Sequence, residues 1–170
     1  MLACGGEPKA DTIGDKAQAN AADKTGKPDK AGKTDKAQAK PTADRSIELE
    51  KFGLKVDVPD GVRASDAVVG EGMMIKGPGL VLTVEVATEA TPKTLSDAKQ
   101  EADMYSPQNF QEETLADGWT MTFENKGGMG TNYWVQSRRE INGTIYWCST
   151  TAAQVEQQAH ALAACKSLRR

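Results

Sequence analysis

The stretch TNYWVQSRREINGTIYWCSTTAAQVEQQAHALAACKSL, residues 131–168, decides the fold. It reads as strand, tight turn, strand, helix. The turn is Asn142-Gly143, a pair that readily takes the positive φ angles of a type I′ hairpin. That turn sets a register in which Ile141 faces Thr144, Arg139 faces Tyr146, Arg138 faces Trp147 and Ser137 faces Cys148. A capping box, Thr151 with Gln154 three residues on, predicts where the helix opens. Its apolar positions, Val155, Ala159, Leu162 and Cys165, are spaced for one face. Cys148 shares a sheet face with Tyr133, Val135, Ile141 and Tyr146. Laying the helix on that face brings Cys165 towards Cys148. The pair reads as a disulfide or as two buried thiols. A disulfide would close a loop of about 17 residues and contribute roughly 3 kcal/mol. Cys148 lies close to a strand end and Cys165 near the far end of the helix. At about 1.5 Å per helical residue and 3.3 Å per strand residue, the helix must tilt to bring them together.

Outward from this unit, the chain divides by composition. Ile13 is the only branched aliphatic residue between Gly5 and Arg45, and every aromatic residue lies at Phe52 or beyond. Glu7 to Arg45 is low complexity. Asp-Lys recurs at Asp15, Asp23, Asp29 and Asp35, and Asp-Lys-Ala-Gln-Ala appears twice. Gly14, Gly26, Pro28, Gly32 and Pro41 interrupt every helical candidate. With no apolar face to bury, the entropy of ordering goes uncompensated. Residues 5–45 are therefore expected to be a disordered tether, and 46–170 a single globular domain. About 125 residues suffice for one core of ordinary size. The tether carries nine Lys+Arg against seven Asp+Glu, which leaves the domain 12 basic and 17 acidic residues, a net of −5. An acidic domain without a basic stripe argues against a nucleic-acid partner. No apolar run approaches the roughly 20 residues of a membrane span.

Residues 1–4, Met1-Leu2-Ala3-Cys4, resemble the end of a bacterial lipobox, where small residues precede a cysteine that receives a diacylglycerol thioether. Met1 stands where the lipobox usually has Leu. The charged and apolar regions of a signal peptide do not precede it, so the true start is expected upstream or the chain has been trimmed. The resemblance implies lipidation at Cys4, a membrane anchor, and a periplasmic or cell-surface location. In that oxidising setting Cys148 and Cys165 would pair.

In the domain, Phe52, Leu54, Val56 and Val58 alternate with Lys55 and Asp57 until Pro59-Asp60-Gly61 ends the strand. Asp66 to Gly72 reads as a loop. Met73–Lys76 and Leu80–Ala87 read as strands around Gly77-Pro78-Gly79. Pro92 and a Thr94–Asp97 capping box open a helix to about Met104, with an apolar stripe of Leu95, Ala98 and Ala102. Ser106-Pro107 stops it. Phe110 to Asn125 is a hairpin turning at Asp117-Gly118, with Trp119, Met121 and Phe123 on one face. Six or seven strands joined mostly as hairpins, with two helices, predict an α+β fold built on an antiparallel sheet. Strand–helix order and the closing Cys165-Lys166-Ser167-Leu168 helix make residues 47–168 resemble the PsbP-like α/β/α sandwich family. The resemblance implies adaptor or assembly work, in some members with lipid.

Little reactive chemistry is legible. The Cys148/Cys165 spacing fits neither a Cys-x-x-Cys redox motif nor a four-ligand zinc site. His160, the only histidine, is expected on the polar side of its helix. Glu112 and Glu113 point to opposite faces of a strand. Lys126 to Gly130 is glycine-rich, but a phosphate cradle needs a following helix, so a hairpin turn is expected. Asn142-Gly143-Thr144 matches a glycosylation acceptor that coincides with the hairpin turn. No catalytic residue, metal site or cofactor is assigned. The candidate binding surface is aromatic: Trp134 and Trp147 share the face opposite Cys148, with Arg138 across from Trp147 and placed for a cation–π contact. Cover by the first helix would instead make the tryptophans core. The sequence thus predicts a non-enzymatic, membrane-anchored envelope lipoprotein that binds a protein or envelope component. The alternative is a carrier of lipid or another small apolar ligand in a pocket under the tryptophans.

Overall fold

The computed structural model describes residues 45–170. They form nine strands: β1 (Arg45–Leu49), β2 (Leu54–Val58), β3 (Arg63–Asp66), β4 (Met73–Gly77), β5 (Leu80–Val86), β6 (Gln108–Leu115), β7 (Gly118–Gly127), β8 (Gly130–Ile141) and β9 (Thr144–Ala152). The helices are α1 (Leu95–Ala102) and α2 (Val155–Ser167), and a 3₁₀ turn at Asp103–Tyr105 follows α1. Seven strands make one sheet in the order β3-β4-β5-β9-β8-β7-β6, and β1 and β2 form a separate hairpin. Every pairing is antiparallel, so the fold is α+β.

The deciding hairpin has the expected register. Ser137 lies opposite Cys148, Arg138 opposite Trp147 and Arg139 opposite Tyr146. Asn142 and Gly143 take φ of 52° and 76°, both positive as a type I′ turn requires. β9 then enters the sheet centre by pairing with β5 on its other side, Val84 against Cys148. Two strands escaped the sequence reading. Arg63-Ala64-Ser65-Asp66 has no branched or aromatic residue and is a strand only because β4 pairs with it. Arg45–Leu49 shows two apolar residues in five and is made a strand by β2.

The two sheet faces carry separate cores. On one, Ile75, Leu80, Leu82, Val84, Val135 and Cys148 are buried under α2 and the β1–β2 hairpin, which adds Leu49, Leu54, Val56 and Val58. On the other, Trp119, Met121, Phe123 and Trp147 pack against Ala98 and Ala102 of α1. The Thr94–Asp97 capping box of α1 is formed in both directions. Successive carboxylates on β6 confirm the layering. Glu112 pairs with Lys99 of α1, whereas Glu113 pairs with Lys166 of α2.

Helix α2 departs from expectation at three places. Thr151 does not cap it, because β9 continues to Ala152 and Thr151 pairs with Trp134 in the sheet. The N-cap is Gln154, which makes no side-chain cap bond; Gln157 Oε1 accepts from the Ala153 N–H at 3.3 Å instead. The buried face is Ala161, Ala164 and Cys165; of the expected stripe Cys165 is buried and Leu162 packs on the core, whereas Ala159 is exposed and Val155 is 59% exposed. Small side chains there let the helix approach the sheet closely, and the disulfide fixes that rotation. Finally, His160 is half-buried, with Nδ1 3.0 Å from the Gly79 carbonyl oxygen, which it can meet only as a donor.

Gly118 marks the closest backbone approach. A Cβ there would sit 1.9 Å from the Arg138 carbonyl oxygen, at a φ of +155°. The glycine-rich run is a turn that pairs Gly127 with Gly130, linking two strands.

Candidate functional site

α1 is eight residues long and covers only part of its sheet face. It packs on β7 and on Trp147 of β9, and the same face farther along β5, β8 and β9 lines a hollow. A groove of about 380 Å³ opens there. Its floor alternates out of three strands: Thr83 from β5, Ser149 and Thr151 from β9, and Trp134 and Gln136 from β8. Side chains two apart on a strand share a face, so one period-2 pattern on each strand supplies the whole floor. Trp147 closes the α1 side, and Glu101 stands on the helix above.

The segment Ala90–Pro92, which leads into α1, forms a wall beside Glu101, and it is locally braced. Thr91 Oγ1 donates to the Thr88 carbonyl at 2.7 Å and accepts from the Thr88 N–H at 3.1 Å. Arg138 Nη1 donates to the Pro92 carbonyl at 3.2 Å and meets Thr91 Oγ1 at 3.5 Å. The guanidinium therefore fastens the wall and does not lie over Trp147 as a cation–π partner. A cation over a ring does occur on this face: Lys99 Nζ is 5.7 Å from the Phe110 centroid.

The two tryptophans differ. Trp147 is 7% exposed and meets Trp119 edge to face, with centroids 5.7 Å apart. It belongs to the core that α1 covers. Trp134 is half-buried, and its Nε1 donates to Asn125 Oδ1 at 2.6 Å. Its ring stacks on Phe123, which stacks on Phe110, and Tyr105 lies against it at 4.8 Å. Rings from β6, β7 and β8 thus form a ladder whose end borders the groove.

Gln136 is the residue the sequence reading passed over. It sits on a central strand, 7% exposed, and among the described residues its Oε1 has no hydrogen-bond partner. A buried amide oxygen without a donor costs about 1–3 kcal/mol. The signal was present: a polar residue between Trp134 and Arg138 on the inward face of a strand with neighbours on both sides. The hydroxyls of Thr83, Ser149 and Thr151 carried a similar signal, since they fall on one face.

The remaining candidates lie elsewhere. Cys148 and Cys165 are joined as a disulfide with Cα atoms 5.7 Å apart, on the opposite face of the sheet. Beside it Arg139, 8% exposed, holds Asp117 with two bonds of 2.8 and 2.7 Å. It also donates to the Cys165 and Lys166 carbonyls at 3.0 and 2.7 Å, satisfying acceptors at the end of α2. Cys4 lies outside the described residues. Among those residues no group of His, Cys, Asp and Glu could hold a metal, and no helix is long and apolar enough to cross a membrane. The arrangement offers hydrogen-bond donors and acceptors around a hollow, which suits binding. No protein-family model matches the chain, and a search of curated proteins found none that matches it.

Proposed function

We propose that this protein is a lipid-anchored binding module of the bacterial envelope, and that its folded domain takes a ligand or partner in the groove beside Trp134. The observation that carries the binding part is the groove of about 380 Å³ itself, floored by Thr83, Gln136, Ser149 and Thr151. Hydroxyls around it favour a polar occupant over an aliphatic chain, because a chain would cover them without bonding them.

The location rests on other features. Cys4 follows Leu2-Ala3 in the lipobox-like run, and the low-complexity segment of alternating Asp and Lys begins directly after it. The Cys148–Cys165 disulfide is of the kind that persists in oxidising compartments. Roughly 40 residues could span about 130 Å at full extension, enough to hold a domain clear of a bilayer.

Intact mass of the native protein from fractionated cells tests the anchor. A mass raised by diacylglyceryl or triacyl groups at Cys4, and by two hydrogens on reduction, supports the reading. An unmodified chain with three free thiols overturns it and favours an intracellular adaptor. Native mass spectrometry of the protein purified from envelope extract tests the groove. A retained small molecule or stoichiometric partner, lost on Gln136→Leu, is the expected result.

A further inference from the structure

Resting on the groove as a binding site, we infer that its occupant is an extended, basic segment of another protein, laid as a short strand where β5 and β9 part. The two strands pair from Val86 with Tyr146 to Thr83 with Ser149, and there the ladder stops. The next partners in register, Val81 and Thr151, are not paired with each other although both belong to strands. Ala87 N–H donates to the Ile145 carbonyl at 2.8 Å. Main-chain groups alternate sides along a strand, so those of Val81 face β9 and those of Thr151 face β5. Val81 is 44% exposed, Thr151 is exposed, and both line the groove. Their N–H and C=O groups are therefore within reach of an occupant. His160 Nδ1 donates to the Gly79 carbonyl at 3.0 Å, which ties the turn before β5 to α2 and not to β9.

Two parted strands offer a donor and an acceptor on each side, a pattern that successive residues of a polypeptide main chain match. A chain so placed turns alternate side chains to the groove face. There Val81 and Pro92 receive an apolar side chain, and Glu101, the one charged residue lining the groove, receives a cation two residues away. Among the described residues Glu101 has no ion-pair partner, whereas neighbouring Glu89 is held by Lys93. The domain's net charge of −5 favours a basic partner at longer range. The residue between the apolar and basic positions meets the other face of the sheet. Leu80 and Leu82 already fill that face under α2, so this residue is small.

The test uses the full 170-residue chain, labelled with ¹⁵N and titrated with the peptide acetyl-TVSKT-amide and its analogues with leucine or phenylalanine for valine. Concentrations up to about 5 mM reach millimolar affinities. The expected result is saturable shifts of the Val81, Thr83, Ser149 and Thr151 amides, with hydrogen exchange at Val81 and Thr151 slowed about tenfold or more. Glu101→Gln should weaken binding about threefold. Val81→Pro removes one groove-facing donor that by the same alternation takes no bond from β4, and should weaken binding about three- to tenfold. Equal affinity for the peptide N-methylated at its valine and serine, or for acetyl-TVSET-amide, overturns the inference. So does an affinity unchanged in both variants. Contacts between groove amides and residues before Arg45 in the peptide-free protein, or groove shifts that follow protein concentration, would make this chain its own occupant and overturn a separate partner. Groove signals unmoved by every peptide overturn the inference; the groove itself stands if native mass spectrometry still retains a small molecule, and falls with it if nothing is retained.

Discussion

Replacing Gln136 by methionine should make the empty protein more stable. The two side chains have similar length and volume, and unbranched Met adapts to the space, so the swap leaves little void and little strain. What changes is one amide whose oxygen is buried without a partner. An unsatisfied group of this kind costs about 1–3 kcal/mol, and an apolar replacement of the same shape removes the penalty. Allowing for the lost solvation of the amide nitrogen, a gain of about 1 kcal/mol is expected. At a urea dependence of about 1.5 kcal/mol/M, that moves the unfolding midpoint up by about 0.7 M. The melting temperature should rise by about 3–5 °C. Gln136→Ala is the control, because it removes the amide but opens a cavity and should destabilise. Urea titration followed by tryptophan fluorescence gives midpoint and slope together. A loss of 1 kcal/mol or more in Gln136→Met, at unchanged slope, would refute the reasoning, because the amide would then be bonded in solution.

Other substitutions test the frame around the groove. Replacing Cys148 and Cys165 together by alanine should cost about 3 kcal/mol, read as a lower urea midpoint that matches the reduced wild type to within about 1 kcal/mol. Trp147→Ala should cost about 3–5 kcal/mol, as expected of a core residue; a folded variant of unchanged stability would return Trp147 to the binding surface. Arg139→Met breaks the pair with Asp117 and frees two carbonyls of α2, for an expected loss of about 2–4 kcal/mol by chemical denaturation. Asp57 is held below the ordinary carboxylate range mainly by its hydrogen bonds from Arg169, which also lower it by charge. A depressed folded value stabilises above the unfolded value, near about 3.9, and the benefit is lost as pH falls through the folded value. The pair is partly exposed, so it contributes less than about 1 kcal/mol. Asp57→Asn should therefore lower stability at neutral pH and converge with the wild type in acid; parallel curves down to pH about 2 would count against it.

How much was legible in advance depended on whether the determinant was local. Asn142-Gly143 and the Thr94–Asp97 box are short-range devices, and both formed as the residues implied. The cysteine pairing was one of two readings and needed the helix to lie close; Ala161 and Ala164 supply that closeness. The cap at Thr151 failed because β-branched Thr150 and Thr151 stay paired with Val135 and Trp134 of β8, and pairing outweighed a local cap. β3 was invisible because tertiary pairing alone makes it a strand. At the site, the aromatic face was found but its roles shifted. Trp147 became core, Arg138 became the brace of the wall, and Trp134 stayed at the rim. The hydroxyl floor went unread because its members come from two strands distant in sequence, β5 and β9.

The clasp of Glu112 and Glu113 on β6 bears on how this molecule tolerates crowding. A sheet with two open sides offers backbone donors and acceptors to any passing chain. Here one side ends in a four-residue strand, β3. The other is β6, where Asn109 turns to a φ of 52° and interrupts the pairing between Gln108 and Gln111. Charged side chains at Glu112 and Glu113 are then drawn over to Lys99 and Lys166. A second molecule trying to extend the ladder would meet a kink and two ion pairs in place of a flat template. At the β3 margin only four residues are offered for pairing, so each side of the sheet is a poor template for a neighbouring strand.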